Sequence, residues 1–167
     1  MLDAVELMRK HRAKGVLIDT NLLVLYLVGT VNRGRILNFK RTADFTVRDY
    51  DQLVRLIKWF GKIIATPHVL SQVSDLTDLS GHELIAVRKA FKSQVEKIDE
   101  HYDASRVIVE DPSFEGFGLT DAAIASASSR GLLVLTTDTR PHLVLQTRGI
   151  DALNFNHLRL RNWGATH

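Results

Sequence analysis

A chain of 167 residues, 45% hydrophobic and 25% charged, has the balance of one globular domain with a sizeable core. Its formal net charge of +3 admits a polyanionic partner without demanding one. It contains no cysteine, which excludes disulfides, thiolate metal sites and cysteine nucleophiles. Met1 to Gly15 carries Asp3, Glu6, Arg9, Lys10, Arg12 and Lys14 and lacks the apolar core of a signal peptide. The most apolar stretch, 16–28, is broken by Asp19 and Asn21 and is too short to span a bilayer. The expectation is a cytoplasmic protein with no membrane partner, a single domain over 1–167.

Residues 3–13 suit a short charged helix with Val5, Leu7 and Met8 on its apolar side. Val16-Leu17-Ile18 runs apolar without alternation, the pattern of a strand buried on both faces, and leads into Asp19-Thr20-Asn21. Asp-Thr-Asn also suits the opening of a helix carrying Leu22, Leu23, Leu25 and Tyr26. Asp19 therefore reads either as a helix cap or as a group on the carboxyl edge of a sheet, where ligands bind in open α/β folds. Residues 29–52 read as a loop or lid with a helical turn near 35–39. Their cations give two readings, a solvated connection or an RNA contact made by Arg33, Arg35, Lys40 and Arg41.

From 47 to 60, Leu53, Leu56, Ile57 and Phe60 recur on one helical face, and Gly61 stops the helix. A short strand over 62–65 follows. Thr66-Pro67 then opens a helix with Val69, Leu70, Val73 and Leu76 inward. Ser80-Gly81-His82-Glu83 has capping-box spacing ahead of a long helix lined by Leu84, Val87, Phe91 and Val95. Residues 99–118 resist assignment, with Val107–Val109 read as an extended piece and Asp111-Pro112 as a turn. Thr120 is expected to cap a helix over 121–129 whose alanines let it lie close to a sheet. Leu132 to Thr136 reads as a second buried strand closing on Thr137-Asp138, and a helix over 141–147 and a strand over 152–155 follow. The segment 157–167 reads as a basic tail with Arg159, Arg161 and Trp163.

Strands without polar alternation, separated by helices, predict an α/β fold: a three-layer α/β/α sandwich on a central, mainly parallel sheet. Asp19 and Asp138 then leave the sheet at the same edge. Chain order alone sets the start of the Asp121 helix at the opposite edge unless a loop carries it over. Gathered carboxylates repel one another and seldom cluster without a cation, and oxygen-only donors suit Mg2+ or Mn2+. Taken singly, Asp121 also fits the first-turn preference of the helix macrodipole, and Asp138 fits a turn. No Gly-Lys-Ser phosphate loop, no paired histidine spacing and no serine nucleophile elbow is present.

Ile18-Asp19-Thr20-Asn21, Thr66-Pro67-His68-Val69-Leu70, Leu119-Thr120-Asp121-Ala122 and Leu135-Thr136-Thr137-Asp138 occur in this order, followed by the stretch 149–155. The ordered set resembles the PIN-domain family, metal-dependent ribonucleases of the FEN-like nuclease fold. The resemblance implies that Asp19, Asp121 and Asp138 form the catalytic, metal-holding centre, with the Asp121 helix beginning beside the other two. It implies cleavage of RNA with Mg2+ or Mn2+ as cofactor, leaving a 5′-phosphate and a 3′-hydroxyl. It also implies an antitoxin-type inhibitor protein, as for many small members, and a homodimer. The second acidic position of the family falls on Gln72, whose neutral amide weakens cation affinity. Asp75, one turn further on, is the candidate substitute and Glu115 another, with solvent exposure the simpler reading for both. Thr20 and Asn21 are expected to position Asp19, and Thr136 to support Asp138. Three functions stay open: a metal-dependent endoribonuclease, a PIN-like module that binds RNA or a protein without hydrolysis, and a small-molecule phosphohydrolase.

Overall fold

The computed structural model describes residues 2–160. In chain order the elements are α1 (Ala4–His11), β1 (Val16–Ile18), α2 (Thr20–Val31), α3 (Val47–Phe60), β2 (Ile63–Ala65), α4 (Pro67–Leu76), α5 (Gly81–Val95), β3 (Asp99–Glu100), α6 (Ser105–Ile108), α7 (Phe114–Phe117), α8 (Leu119–Ser128), β4 (Leu133–Thr136), α9 (Thr139–Thr147), β5 (Ala152–Asn154) and α10 (Phe155–Leu160). Five parallel strands lie in the order β3-β2-β1-β4-β5, with helices on both faces, the three-layer α/β/α architecture that the unalternating strands predict.

The two apolar runs lie side by side in the sheet, where both faces are covered. Every residue of β1 and β4 is buried, and they pair with Val16 opposite Leu133 and Ile18 opposite Leu135. β1 is also the point where the strand order reverses, since β2 lies on one side of it and β4 on the other. The crevice beyond the carboxyl ends of two such strands is where open α/β sheets accept ligands.

α2 leaves β1 at that crevice. It is apolar on nearly every side, and Leu22, Leu23, Val24, Leu25, Leu27 and Val28 are all buried. A helix of that kind needs cover all round, and it packs against α3, α4 and α5. At Gly29 an added Cβ would lie 2.3 Å from Tyr50 Cδ2 on α3, so glycine is what lets the two helices approach.

Several local expectations are corrected. Residues 32–45 are not a solvated loop: Ile36, Phe39 and Phe45 are buried, and the buried Thr42 hydroxyl donates to the Ile36 carbonyl at 2.7 Å. The Ser80–Glu83 capping box does not form, because Glu83 pairs with Arg35 at 2.9 Å instead. A reciprocal box forms where none was expected, between Thr46 and Asp49 at the start of α3. Val107 and Val109 flank the end of the short helix α6 rather than forming an extended piece. α8 begins at Leu119 behind Gly118, so Thr120 lies inside its first turn and is not its cap. The segment from 157 begins inside α10 with Leu158 buried, and Arg161 and Trp163 lie outside the described residues. No described helix is long and apolar enough to cross a membrane.

Candidate functional site

Asp19 and Asp138 follow the adjacent strands β1 and β4 and so come together at the crevice. Asp121 joins them, which corrects the expectation that its helix starts at the opposite edge. The correction is topological. A helix that crosses over before a parallel strand descends from the carboxyl edge, so its N-terminus lies at that edge. One cavity of about 320 Å³ is bordered by Asp19, Thr20, Asn21, Gln72, Asp121 and Asp138, with Leu76, Phe117, Leu119 and Ile124 supplying apolar wall.

Asp19 holds two positions at once. It caps α2, accepting from the Leu22 N–H at 3.1 Å, and its other oxygen accepts from the Thr137 N–H at 2.8 Å. The Thr136 hydroxyl bonds the same carboxylate and accepts from the Asp138 N–H at 3.0 Å, so it links the two aspartates. The peptide after Thr137 is pinned in turn by Asn156 Nδ2, which donates to the Thr137 carbonyl at 2.8 Å. Burial nevertheless outweighs the bonds to Thr136, Leu22 and Thr137. It pushes the Asp19 carboxyl up to about 6, and the charge of Asp138 adds to the rise.

Asp121 is also pushed up to about 6, first by burial and then by the charge of Asp138. Behind it lies an apolar recess lined by Ile124, Ala125, Val134, Val144 and Leu145. Among the described residues neither Asp121 nor Asp138 accepts a hydrogen bond through its carboxylate, although Asp138 stands at the cap position of α9. Asp138 is exposed and is the one carboxylate whose charge is felt by both others.

Gln72 reaches the same cavity from α4, and its Oε1 accepts from the Thr20 hydroxyl at 3.0 Å. Thr20 is thus tied to Gln72, and Asn21 Nδ2 to Thr137 Oγ1 at 3.4 Å. Neither bonds Asp19 through its side chain; the expected positioning is done by Thr136 and by the Thr137 backbone. Thr136 does support Asp138, through its backbone N–H. Asp75 and Glu115 are exposed and lie off the cavity, so neither replaces the missing carboxylate there.

The four candidate RNA-contacting cations also lie off this cavity. Arg33 forms a two-pronged pair with Asp51 at 2.6 and 2.8 Å, Arg35 pairs with Glu83, and Lys40 with Asp78 at 2.9 Å. Arg41 is exposed, and its charge acts on Asp78. Sequence reasoning missed Thr137 and Phe117 at the site. The signal for Phe117 was the Gly116-Phe117-Gly118 triplet just ahead of the Asp121 helix.

The donor set is all oxygen, with two carboxylates unpaired and three repelling, which suits a hard divalent cation. Among the described residues no three acidic or histidine side chains converge closely enough to hold one ion together. Such a site fits magnesium or manganese held by one or two carboxylates, with water and a substrate phosphate completing the shell. No family model matches the chain, and no curated protein matches it.

Proposed function

We propose that this protein is a Mg2+- or Mn2+-dependent endoribonuclease whose centre is Asp19, Asp121 and Asp138, with Gln72 in the position of a fourth acidic group. The observation that supports the reading best is the gathering of these side chains from four separate elements into one cavity at the carboxyl edge of the sheet. The ordered motifs resembling the PIN-domain family point the same way.

In this reading each residue has a definable task. Asp138 and Asp121 carry unpaired carboxylates into the cavity and bind the cation. Asp19 is held rigid by Thr136, Leu22 and Thr137 and presents a fixed charge. Thr20 orients the Gln72 amide, whose neutral oxygen reduces the negative charge of the site by one relative to a glutamate. A bound divalent cation supplies Lewis-acid polarisation of the phosphodiester and eases the ionisation of water.

Purified protein is expected to cleave RNA in manganese, and an Asp19→Asn variant prepared identically is expected to lose roughly 10²–10³-fold. Equal cleavage by both would assign the activity to a contaminant and sink the reading.

A second reading, a PIN-like module that binds RNA without hydrolysing it, is favoured by Gln72 and by the lack of three converging ligands among the described residues. Gln72→Glu separates the two. If the natural protein is inactive and Gln72→Glu creates manganese-dependent cleavage, the binding module is correct. If the natural protein cleaves and Asp19→Asn does not, the nuclease is. An antitoxin-type inhibitor and a homodimer remain part of the proposal and follow only from the family resemblance.

A further inference from the structure

β4 and β5 run parallel, with Thr136 opposite Asn154. Both chains therefore leave the sheet at the edge that bears the acidic cavity, β4 into Thr137-Asp138 and β5 into α10. Asn156 stands two residues past Asn154 and reaches across, its Nδ2 donating to the Thr137 carbonyl at 2.8 Å.

That bond completes a frame around the two aspartates. The peptide joining Thr137 to Asp138 is held on both sides, its C=O by Asn156 and its N–H by the Thr136 hydroxyl at 3.0 Å. The same hydroxyl bonds the Asp19 carboxylate. The peptide before it gives the Thr137 N–H to Asp19 at 2.8 Å. Among the described residues nothing else donates to the Thr137 carbonyl. Four residues on, where a helix would offer an N–H, stands Pro141, which has none. The amide from α10 supplies the donor instead.

Asn156 is itself firmly carried. Its backbone N–H donates to Asn154 Oδ1 at 2.9 Å. Phe155 beside it is fully buried, with its ring 6.5 Å from that of Phe45. Gln52 Nε2 donates to the Leu158 carbonyl at 3.0 Å, and Arg159 to the Asp44 carbonyl at 3.0 Å. An aspartate of the same shape would set one acceptor against another and add a negative charge beside the three aspartates. Asn156 does not border the cavity, so its effect on the site passes through the peptide it holds.

We propose that Asn156 is a positioning residue for the acidic centre: by holding the Thr137 carbonyl it fixes Asp138 relative to Asp19 and so sets how well the two receive a divalent cation. The proposal rests on the endoribonuclease reading.

The test is a manganese titration of the full chain, with free Mn2+ followed by electron paramagnetic resonance, beside melting curves of the metal-free protein. Asn156→Leu keeps the shape and removes the donor. It is expected to weaken manganese binding roughly 10- to 100-fold. At saturating manganese its kcat for RNA cleavage is expected to fall while KM for RNA stays. Asn156→Ala, which cannot overfill the site, is expected to shift both in the same direction. Leu7→Ala, on α1 and away from the cavity, lowers the melting temperature by opening a void and is expected to leave manganese binding unchanged.

Unchanged manganese affinity in Asn156→Leu and Asn156→Ala would overturn the proposal and leave the nuclease reading standing. So would an equal loss in Leu7→Ala, since the effect would then follow stability alone. If the natural protein binds manganese no better than Asp138→Asn, the nuclease reading falls and this proposal with it.

Discussion

Asp138→Asn is expected to lower manganese-dependent RNA cleavage by roughly 10²–10³-fold while raising the melting temperature of the metal-free protein at pH 8. The opposite signs follow from the position of Asp138. Among the described residues its carboxylate accepts no hydrogen bond and makes no side-chain cap, so the fold loses little when its charge goes. Its charge, after burial, helps hold Asp19 and Asp121 up at about 6. A carboxyl whose folded value lies above its unfolded value binds protons more tightly in the folded state. Metal-free stability is therefore full below about 4 and falls as pH rises through about 6. At pH 8 Asp19 and Asp121 are ionised and the charge of Asp138 bears on both. Removing one charge relieves two repulsions. After discounting for the solvent that reaches Asp121 and Asp138, the gain is about 1 kcal/mol, or about 2–4 °C for a chain of this size. At pH 4.5 the advantage should vanish. Manganese should then raise the melting temperature of the natural protein at pH 8 and do much less for the variant. Thermal melts at the two pH values, with and without manganese, decide it. A variant that melts lower than the natural protein at pH 8 would refute the repulsion, and a variant that cleaves normally would remove Asp138 from the centre.

This conflict between stability and function explains which parts of the chain are legible from sequence. Val16–Ile18 and Leu133–Thr136 were readable because strands covered on both faces cannot alternate. The stop at Gly61 was readable because it adopts the left-handed backbone that favours glycine. β3 was not readable, since Asp99 and Glu100 have poor strand propensity and take strand form by pairing with Ile64 and Ala65. Val107–Val109 misled for the opposite reason. Ile108 is buried between two exposed valines, so one turn of helix imitates the in-and-out pattern of a strand. At the site, Asp19, Asp121, Asp138 and Gln72 were legible as candidates, but their partners were not. The backbone N–H of Thr137 bonds Asp19 across 118 positions in sequence, and Thr20 spends its hydroxyl on Gln72. Long-range bonds of that kind follow from the strand order, which periodicity does not supply. Glu83 shows the same limit, because an arginine 48 positions earlier outcompetes the local cap.

Gly29→Ala is expected to destabilise the protein, although the same change in an exposed helix would stabilise it. Alanine gains about 0.5–1 kcal/mol over glycine in a helix interior. Against that, the new Cβ would stand 2.3, 2.5 and 2.8 Å from three carbons of the Tyr50 ring. Those distances are far inside van der Waals contact, and overpacking of a rigid core costs about 1–3 kcal/mol or more. The ring has little freedom to retreat. Tyr50 is buried, its hydroxyl lies 3.3 Å from Thr30 Oγ1, and the Arg33 guanidinium covers its face. The helices α2 and α3 must therefore separate, and α2 is the element that carries Asp19 at its other end. The net loss should be about 1–2 kcal/mol, a fall of about 2–8 °C in melting temperature. The decisive comparison is with Tyr50→Ala. That change alone should cost about 3–5 kcal/mol through the cavity it opens. In its background the clash is gone and only the helix propensity remains, so Gly29→Ala should become neutral or stabilising. A reversal of sign between the two backgrounds would show that ring contact, not backbone entropy, keeps glycine at this position. The same destabilisation in both would refute it.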